Sequence, residues 1–169
     1  PAGIAHYLEH KMFDTKEGNA LQELAKNGAE PNAFTSNAMT GYYFDSTAHF
    51  AENLEILLSF VSIPYFTEES VAKEQGIIGQ EIRMIEDNPD WQIYTRMMQS
   101  LYGVSTARTP IAGTVESISH ITAQTLYDCH RVFYAPSNMV LCMEGCVDPE
   151  TVARIAAEEL LGLHLRGGV

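Results

Sequence analysis

Apolar and polar positions alternate along the chain with two different periods, and together they predict a succession of helices interrupted by a hairpin. Over residues 4–13, Ile4, Ala5, Leu8 and Met12 recur at helical spacing behind Gly3, which predicts a short helix. A second helix is expected over 19–26, where Leu21, Leu24 and Ala25 share a face and Asn27-Gly28 supplies the stop. Residues 32–36 and 40–47, the latter rich in aromatic side chains and threonine, read as strands of one hairpin turning near Ser36-Asn37. Leu54, Leu57, Leu58 and Val61 stand at i, i+3, i+4 and i+7, so 50–61 reads as an amphipathic helix ended near Pro64.

Thr67 opens a longer helix with Glu68 and Glu69 in its first turn, where the helix dipole favours acids, and Asn88-Pro89 should end or kink it. Further helices are expected over 91–101 and 122–133, and from Asp148-Pro149 to about Leu163; 137–144 reads as a strand. Trp91, Tyr94, Met97 and Met98 are expected to pack into the core or against a further domain. Few strands among so many helices give an α+β fold, with a mixed or antiparallel sheet and helices packed on one face.

A length of 169 residues suits one domain with a single core, expected to span 1–169. The chain opens at Pro1, without an initiating methionine, and enters a motif-rich segment almost at once, which reads as a fragment of a longer protein. A formal net charge of −12 and 22 acids against 10 Lys and Arg argue against a nucleic-acid partner, which needs a basic face. No apolar run is long enough to span a bilayer. Three cysteines, Cys129, Cys142 and Cys146, do not make a disulfide framework; they read as reduced thiols, with Cys142 and Cys146 packed beside a strand, and point to a cytoplasmic setting.

The sharpest chemistry lies in His6-Tyr7-Leu8-Glu9-His10. On a helix His6 and His10 stand about 40° apart and Glu9 about 60° from His6, so two imidazoles and a carboxylate share a face. Two such imidazoles can bind one Zn²⁺, and a catalytic site needs a third protein ligand and an open position. Glu9 is then placed as general base, the arrangement of the inverted zincin motif. Glu74 and Glu81, seven positions apart on the long helix, share a face of an otherwise apolar stripe, and a buried pair of acids calls for a cation or donors. Glu81 is accordingly expected as the third ligand and Glu74 as an acid that orients a histidine. The alternative is a solvated acidic face. His49, His120, His130 and His164 have no second partner at ligand spacing and are expected as surface or capping residues.

These motifs, with Pro31-Asn32-Ala33-Phe34-Thr35-Ser36, Lys73-Glu74-Gln75-Gly76-Ile77-Ile78-Gly79-Gln80-Glu81-Ile82, Ile111-Ala112-Gly113-Thr114 and Phe133-Tyr134-Ala135-Pro136-Ser137-Asn138-Met139, resemble the amino-terminal domain of the pitrilysin and insulinase family of zinc peptidases. That family includes the β subunit of mitochondrial processing peptidase, and Glu86-Asp87-Asn88-Pro89-Asp90-Trp91 is most similar to its bacterial processing-protease members. The resemblance implies a zinc-dependent endopeptidase with His6, His10 and Glu81 on the metal, Glu9 as base and Glu74 behind a histidine. His10 and Glu81 stand 71 positions apart, somewhat closer than expected of the family. It implies that Asn32, Ala33, Phe34 and Thr35 form an edge strand for a substrate peptide in extended conformation. It also implies half of a clamshell, with amino-terminal strands of the sheet missing and a second homologous domain or related subunit as partner. A non-catalytic accessory or scaffolding subunit and a purely structural zinc site remain the alternatives.

Overall fold

A computed structural model describes residues 1–166, with side chains described through residue 159. Its elements are α1 (Ile4–Met12), β1 (Asp14–Thr15), β2 (Gly18–Asn19), α2 (Ala20–Lys26), β3 (Glu30–Thr35), β4 (Thr40–Asp45), α3 (Phe50–Ser62), α4 (Glu68–Glu86), α5 (Pro89–Leu101), α6 (Val115–Ile118), α7 (Ala123–Phe133) and α8 (Pro149–Arg166). The fold is α+β, with two small two-stranded sheets, β1-β2 and β3-β4, among the described residues. The expected α+β class and its main helices therefore hold. No helix among the described residues is long and apolar enough to cross a membrane.

Local chemistry accounts for most boundaries. Thr67 caps α4 reciprocally: its hydroxyl accepts the Ser70 N–H at 3.1 Å while Ser70 Oγ accepts the Thr67 N–H at 3.4 Å. Asn88 Oδ1 accepts the amides of Asp90 and Trp91, and Pro89, which lacks an N–H to satisfy, takes the first turn of α5. The Asn-Pro step thus ends one helix and starts the next.

The chain forms two compact units, one of Pro1–Lys11, Phe34–Gly41 and Phe66–Cys129, the other of Met12–Ala33, Tyr42–Tyr65 and the residues from His130 onward. In the first, Tyr7, Leu8, Val71, Ile78, Ile118 and Leu126 are buried. The Tyr7 hydroxyl donates to the Val71 carbonyl at 2.5 Å, and the Gln75 side-chain amide donates to the Ile118 carbonyl at 2.9 Å. These bonds tie α1 to α4 and α4 to α6. The entry to α1 lies against the Ala112-Gly113 backbone: a Cβ on Gly113, whose φ is 73°, would stand 2.5 Å from the Ala2 carbonyl oxygen, and one on Gly3, with φ 88°, would strike the Ala112 carbonyl. Only glycines allow this approach without strain.

In the second unit α3 and α8 pack through Leu54, Leu58, Val152 and Ile155, with Phe44 and Phe50 against them. Each fully buried leucine contributes roughly 1.5–3 kcal/mol. Phe13, Tyr42 and Phe60 add a cluster of rings with centroids 5.2–5.8 Å apart.

Several expectations are corrected. Residues 137–144 form no strand; a 3₁₀ turn, Pro136–Asn138, leads into irregular chain in which Val140 is 86% exposed. Apolar residues favour a strand only where a neighbour pairs with it, and none does so among the described residues. Cys142 and Cys146 are correspondingly exposed rather than packed, and Cys129 is half-buried. Of the two places expected for the aromatic and methionine residues after Pro89, the core of this chain is excluded for Trp91, Tyr94 and Met97, which are 43–48% exposed, while packing against a further domain stays an expectation; Trp91 and Tyr94 meet edge to face at 5.7 Å. His49 and His120 are exposed as expected, Gly167 and Gly168 lie outside the described residues, and so does the His164 side chain.

His130 departs from its expectation too. It is buried, stacked on Tyr134 at 4.7 Å, and its Nε2–H donates to the Val61 carbonyl at 2.9 Å. Burial lowers its pKa below 6.5, outweighing the bond to Val61, which acts in the opposite direction. The folded state therefore prefers the neutral ring. Its contribution is complete above about pH 6.5, the unfolded value, and is lost as pH falls from there toward the lower folded value. Urea melts between pH 7.5 and 5 should show wild type losing stability relative to His130→Gln over that window, since the glutamine amide keeps a donor but cannot titrate.

Candidate metal centre

α1 supplies His6, Glu9 and His10 from one face, as helical periodicity requires, and α4 supplies Glu74 and Glu81 two turns apart. Because α1 and α4 pack together through Tyr7 and Val71, the two faces meet. Glu81 Oε1 lies 3.4 Å from His6 Nε2, and its Oε2 lies 3.5 Å from His10 Nε2. The three donors all fall within 4.8 Å of one another. Tetrahedral ligands at about 2.1 Å from zinc stand about 3.4 Å apart, close to the two Glu81–imidazole distances, and two imidazoles and a carboxylate suit that ion. The cofactor supported is Zn²⁺.

Glu74 lies behind His10. Its Oε1 is 3.0 Å from His10 Nδ1 and accepts the ring proton there, leaving Nε2 turned to Glu81. This bond to Glu74 raises the pKa of His10, and the same bond lowers that of Glu74. His6, 9% exposed, is shifted the opposite way, because burial disfavours its charged form more than the nearby carboxylates favour it. The two imidazoles are thus shifted in opposite directions by their surroundings. His6 Nδ1 is buried without a hydrogen-bond partner among the described residues, so Glu74 serves His10 alone. Burial and the Glu74 charge also push the Tyr7 phenol up to about 12, so Tyr7 remains a neutral donor at neutral pH.

Glu9 stands apart from these three donors. Its Oε2 accepts a short hydrogen bond from the Thr35 hydroxyl, which lies 3.2 Å from that of Thr40. Thr35 closes β3, and the residues expected as a substrate strand, Asn32, Ala33, Phe34 and Thr35, all lie in β3. β3 pairs with β4 alone among the described residues. Phe34 is 47% exposed, and its ring covers Gly41, where a Cβ would stand 2.5 Å from ring carbon Cε1. The Thr35–Glu9 contact was not legible in the sequence, where Thr35 carries no signal of a bond to residue 9.

Outer-shell carboxylates set the basicity and aim of a ligating imidazole, and their removal typically costs 10–100-fold in metal affinity. Glu74→Gln keeps an acceptor for the His10 ring proton but removes the charge. We expect zinc affinity to fall by roughly tenfold, the low end of that range, in competition titrations with a chromogenic chelator.

Comparison with known proteins agrees with this geometry. Residues 1–115 match the insulinase family, peptidase family M16, and residues 120–164 match the peptidase M16 inactive domain. The chain is 54% identical over 152 residues to the uncharacterized zinc protease YmfH of Bacillus subtilis, covering 90% of this chain and 36% of that protein. It is 31% identical over 150 residues to the uncharacterized zinc protease YmxG of the same organism, again covering 36% of the relative. The chain thus spans little more than a third of the curated relatives it matches. Among solved structures, an M16-like peptidase from Alicyclobacillus acidocaldarius superposes with a TM-score of 0.90 at 42% identity, over 95% of this chain and 38% of that one.

The expected cytoplasmic location is corrected by these comparisons. The first half of the periplasmic protease PqqL from Escherichia coli shares the fold with a TM-score of 0.82 at 23% identity, over 94% of this chain and 36% of that one. The same architecture therefore occurs outside the cytoplasm, and three unpaired cysteines show only that disulfides do not hold the fold. The family match over most of the chain, the inverted histidine motif and the converging His6, His10 and Glu81 lead to one assignment: the chain belongs to the insulinase family, peptidase family M16.

Proposed function

We propose that the protein containing this chain is a zinc-dependent endopeptidase, in which His6, His10 and Glu81 hold the metal, Glu74 orients His10 and Glu9 acts as general base. The observation that carries this reading is the convergence of three metal donors within 4.8 Å of one another beside a carboxylate that is not one of them. Bound zinc supplies a Lewis acid, which polarises a carbonyl and brings the pKa of water toward about 7. Everything else falls to the chain's own side chains. Glu9 accepts the proton that the attacking water loses as its oxygen bonds to the scissile carbon, then delivers it to the amide nitrogen as the C–N bond breaks. Thr35 holds the carboxylate in place and links it to the strand along which substrate would lie.

An extended peptide adding to the edge of β3 that no described strand pairs with would gain main-chain hydrogen bonds along Asn32–Thr35, and Glu9 would then meet a backbone already held in register. Such recognition is tolerant of sequence, so it admits peptides generally as well as presequence-like segments. The match of residues 120–164 to the M16 inactive domain supports a second homologous domain or related subunit as partner. The run Glu86-Asp87-Asn88-Pro89-Asp90-Trp91 and the similarity to bacterial zinc proteases support placement with the bacterial processing proteases, near the β subunit of mitochondrial processing peptidase. The accessory-subunit alternative has less support, because all four residues of the reacting group are present and aligned.

The test is turnover of a quenched, unstructured peptide by the full-length protein, with zinc measured in the same sample. Stoichiometric zinc, turnover lost on chelation and restored by added zinc are expected. Stoichiometric zinc without turnover, in the presence of the related subunit, would favour the accessory reading.

A further inference from the structure

A cleft of about 470 Å³ in the first unit takes in the metal-site residues His6, Glu9 and Glu81 and continues along α4 and α5 to the loop carrying Ile111 and Ala112. Much of its wall is apolar, including Ile82, Ile85, Trp91, Met98, Pro110 and Ile111. Its charged groups are distributed unevenly. Glu9 and Glu81 are engaged with Thr35 and with the histidines, which leaves Glu86 as the one further carboxylate against two guanidinium groups, Arg96 and Arg108. Arg96 sits on α5 in the stretch that also lines the cleft with Gln92, Thr95 and Gln99; Arg108 ends the 3₁₀ turn Thr106–Arg108, which packs against α5.

Neither arginine makes an ion pair among the described residues, although the chain carries 22 acids against 10 Lys and Arg. Arg108 is tethered: its Nη1 donates to the Gly103 carbonyl at 2.5 Å, which holds the guanidinium with other N–H groups to spare. Both side chains are exposed, and a planar guanidinium is suited to carboxylates. In so acidic a protein, two arginines that line this cleft without an ion pair among the described residues stand out.

We infer that Arg96 and Arg108 give this cleft a preference for a carboxylate on the substrate, borne by an aspartate or glutamate side chain within a few residues of the scissile bond or by the carboxyl terminus of a short peptide. The inference rests on the endopeptidase reading above for its place in a reaction, and on the cleft alone for its chemistry. The arginines bind and position; they take no part in bond cleavage. Glu86 sets the limit of the effect, since it offers the same cations a competing intramolecular partner.

The experiment uses the full-length zinc-loaded protein and end-blocked quenched peptides that differ at a single flanking position, Glu, Gln or Lys. In parallel, fluorescence anisotropy measures binding of the same peptides to the Glu9→Gln variant, which does not depend on turnover. A Glu-over-Gln ratio of about tenfold is expected in kcat/KM and in affinity, the size of one charge-assisted hydrogen bond. The ratio should collapse toward one in Arg96→Gln/Arg108→Gln and shift toward the Lys peptide in Arg96→Glu/Arg108→Glu. A peptide without internal acids, compared with free and amidated carboxyl terminus, separates the two sources of the carboxylate. Equal ratios in wild type, or a ratio unchanged in the double Gln variant, would overturn the inference while cleavage of the Gln peptide still upheld the peptidase. Selective binding without any turnover would instead uphold the carboxylate preference and count against the peptidase.

Discussion

Replacing Glu9 by Gln should abolish peptide hydrolysis and leave zinc in place. The carboxylate lies outside the group formed by His6, His10 and Glu81, so the metal loses no donor. A glutamine side chain has nearly the same shape, and its amide oxygen can still accept the Thr35 hydroxyl, so the hairpin contact survives. What disappears is the ability to take a proton from water and return it to the leaving nitrogen. General acid–base groups contribute about 10²–10⁴-fold, and a residue serving as base and then acid should lie at or above the top of that range. Metal analysis together with single-turnover assays at saturating enzyme reads both halves of the statement. Substantial turnover in the variant would remove Glu9 from the mechanism; loss of zinc would make it a ligand.

Glu81→Ala should give the converse phenotype, a folded protein that no longer retains zinc. Glu81 faces both imidazole Nε2 atoms and is about one-third exposed, so its removal leaves no sealed cavity in the core. With two donors remaining, affinity should fall by more than the 10–100-fold typical of changes behind a ligand, and well beyond the effect expected for Glu74→Gln. Stability provides a second reading. A ligand present at 100 times its Kd stabilises the folded state by about 2.7 kcal/mol. Zinc should raise the melting temperature of wild type correspondingly and leave that of Glu81→Ala nearly unmoved. Equal zinc-dependent shifts in the two proteins would show that the ion is held elsewhere.

The ordering of these effects reflects distance from the reacting atoms. Glu9 acts on the proton, Glu81 on the ion, Glu74 through His10, and the cleft arginines through binding of substrate. His130, on the second unit, bears on stability alone.

What was legible from sequence was whatever depends on neighbours along the chain. The shared face of His6, Glu9 and His10 follows from 3.6-residue periodicity, and so does that of Glu74 and Glu81. Thr67, Asn88-Pro89 and Asp148-Pro149 mark helix starts because capping is satisfied within one turn. Contacts across the chain were another matter. Glu74 meets His10 across 64 positions because α1 and α4 pack together, and no local rule says which helices will do so. The family resemblance pointed to that pairing; periodicity alone left a solvated acidic face open. The Thr35–Glu9 bond, the tethered Arg108 and the burial of His130 arise in the same way, from side chains brought together by packing. Residues 137–144 show the opposite failure. Their apolar character suits a strand, but a strand is a property of a pair, and among the described residues no second strand is there. The sequence by itself determined the helices, their caps and the chemical equipment of the motif helix, because these depend on interactions within a few residues. Only the tertiary structure decided which carboxylate meets which imidazole, which histidine is buried and which cations line the cleft, because those outcomes are set by packing between segments far apart in the chain.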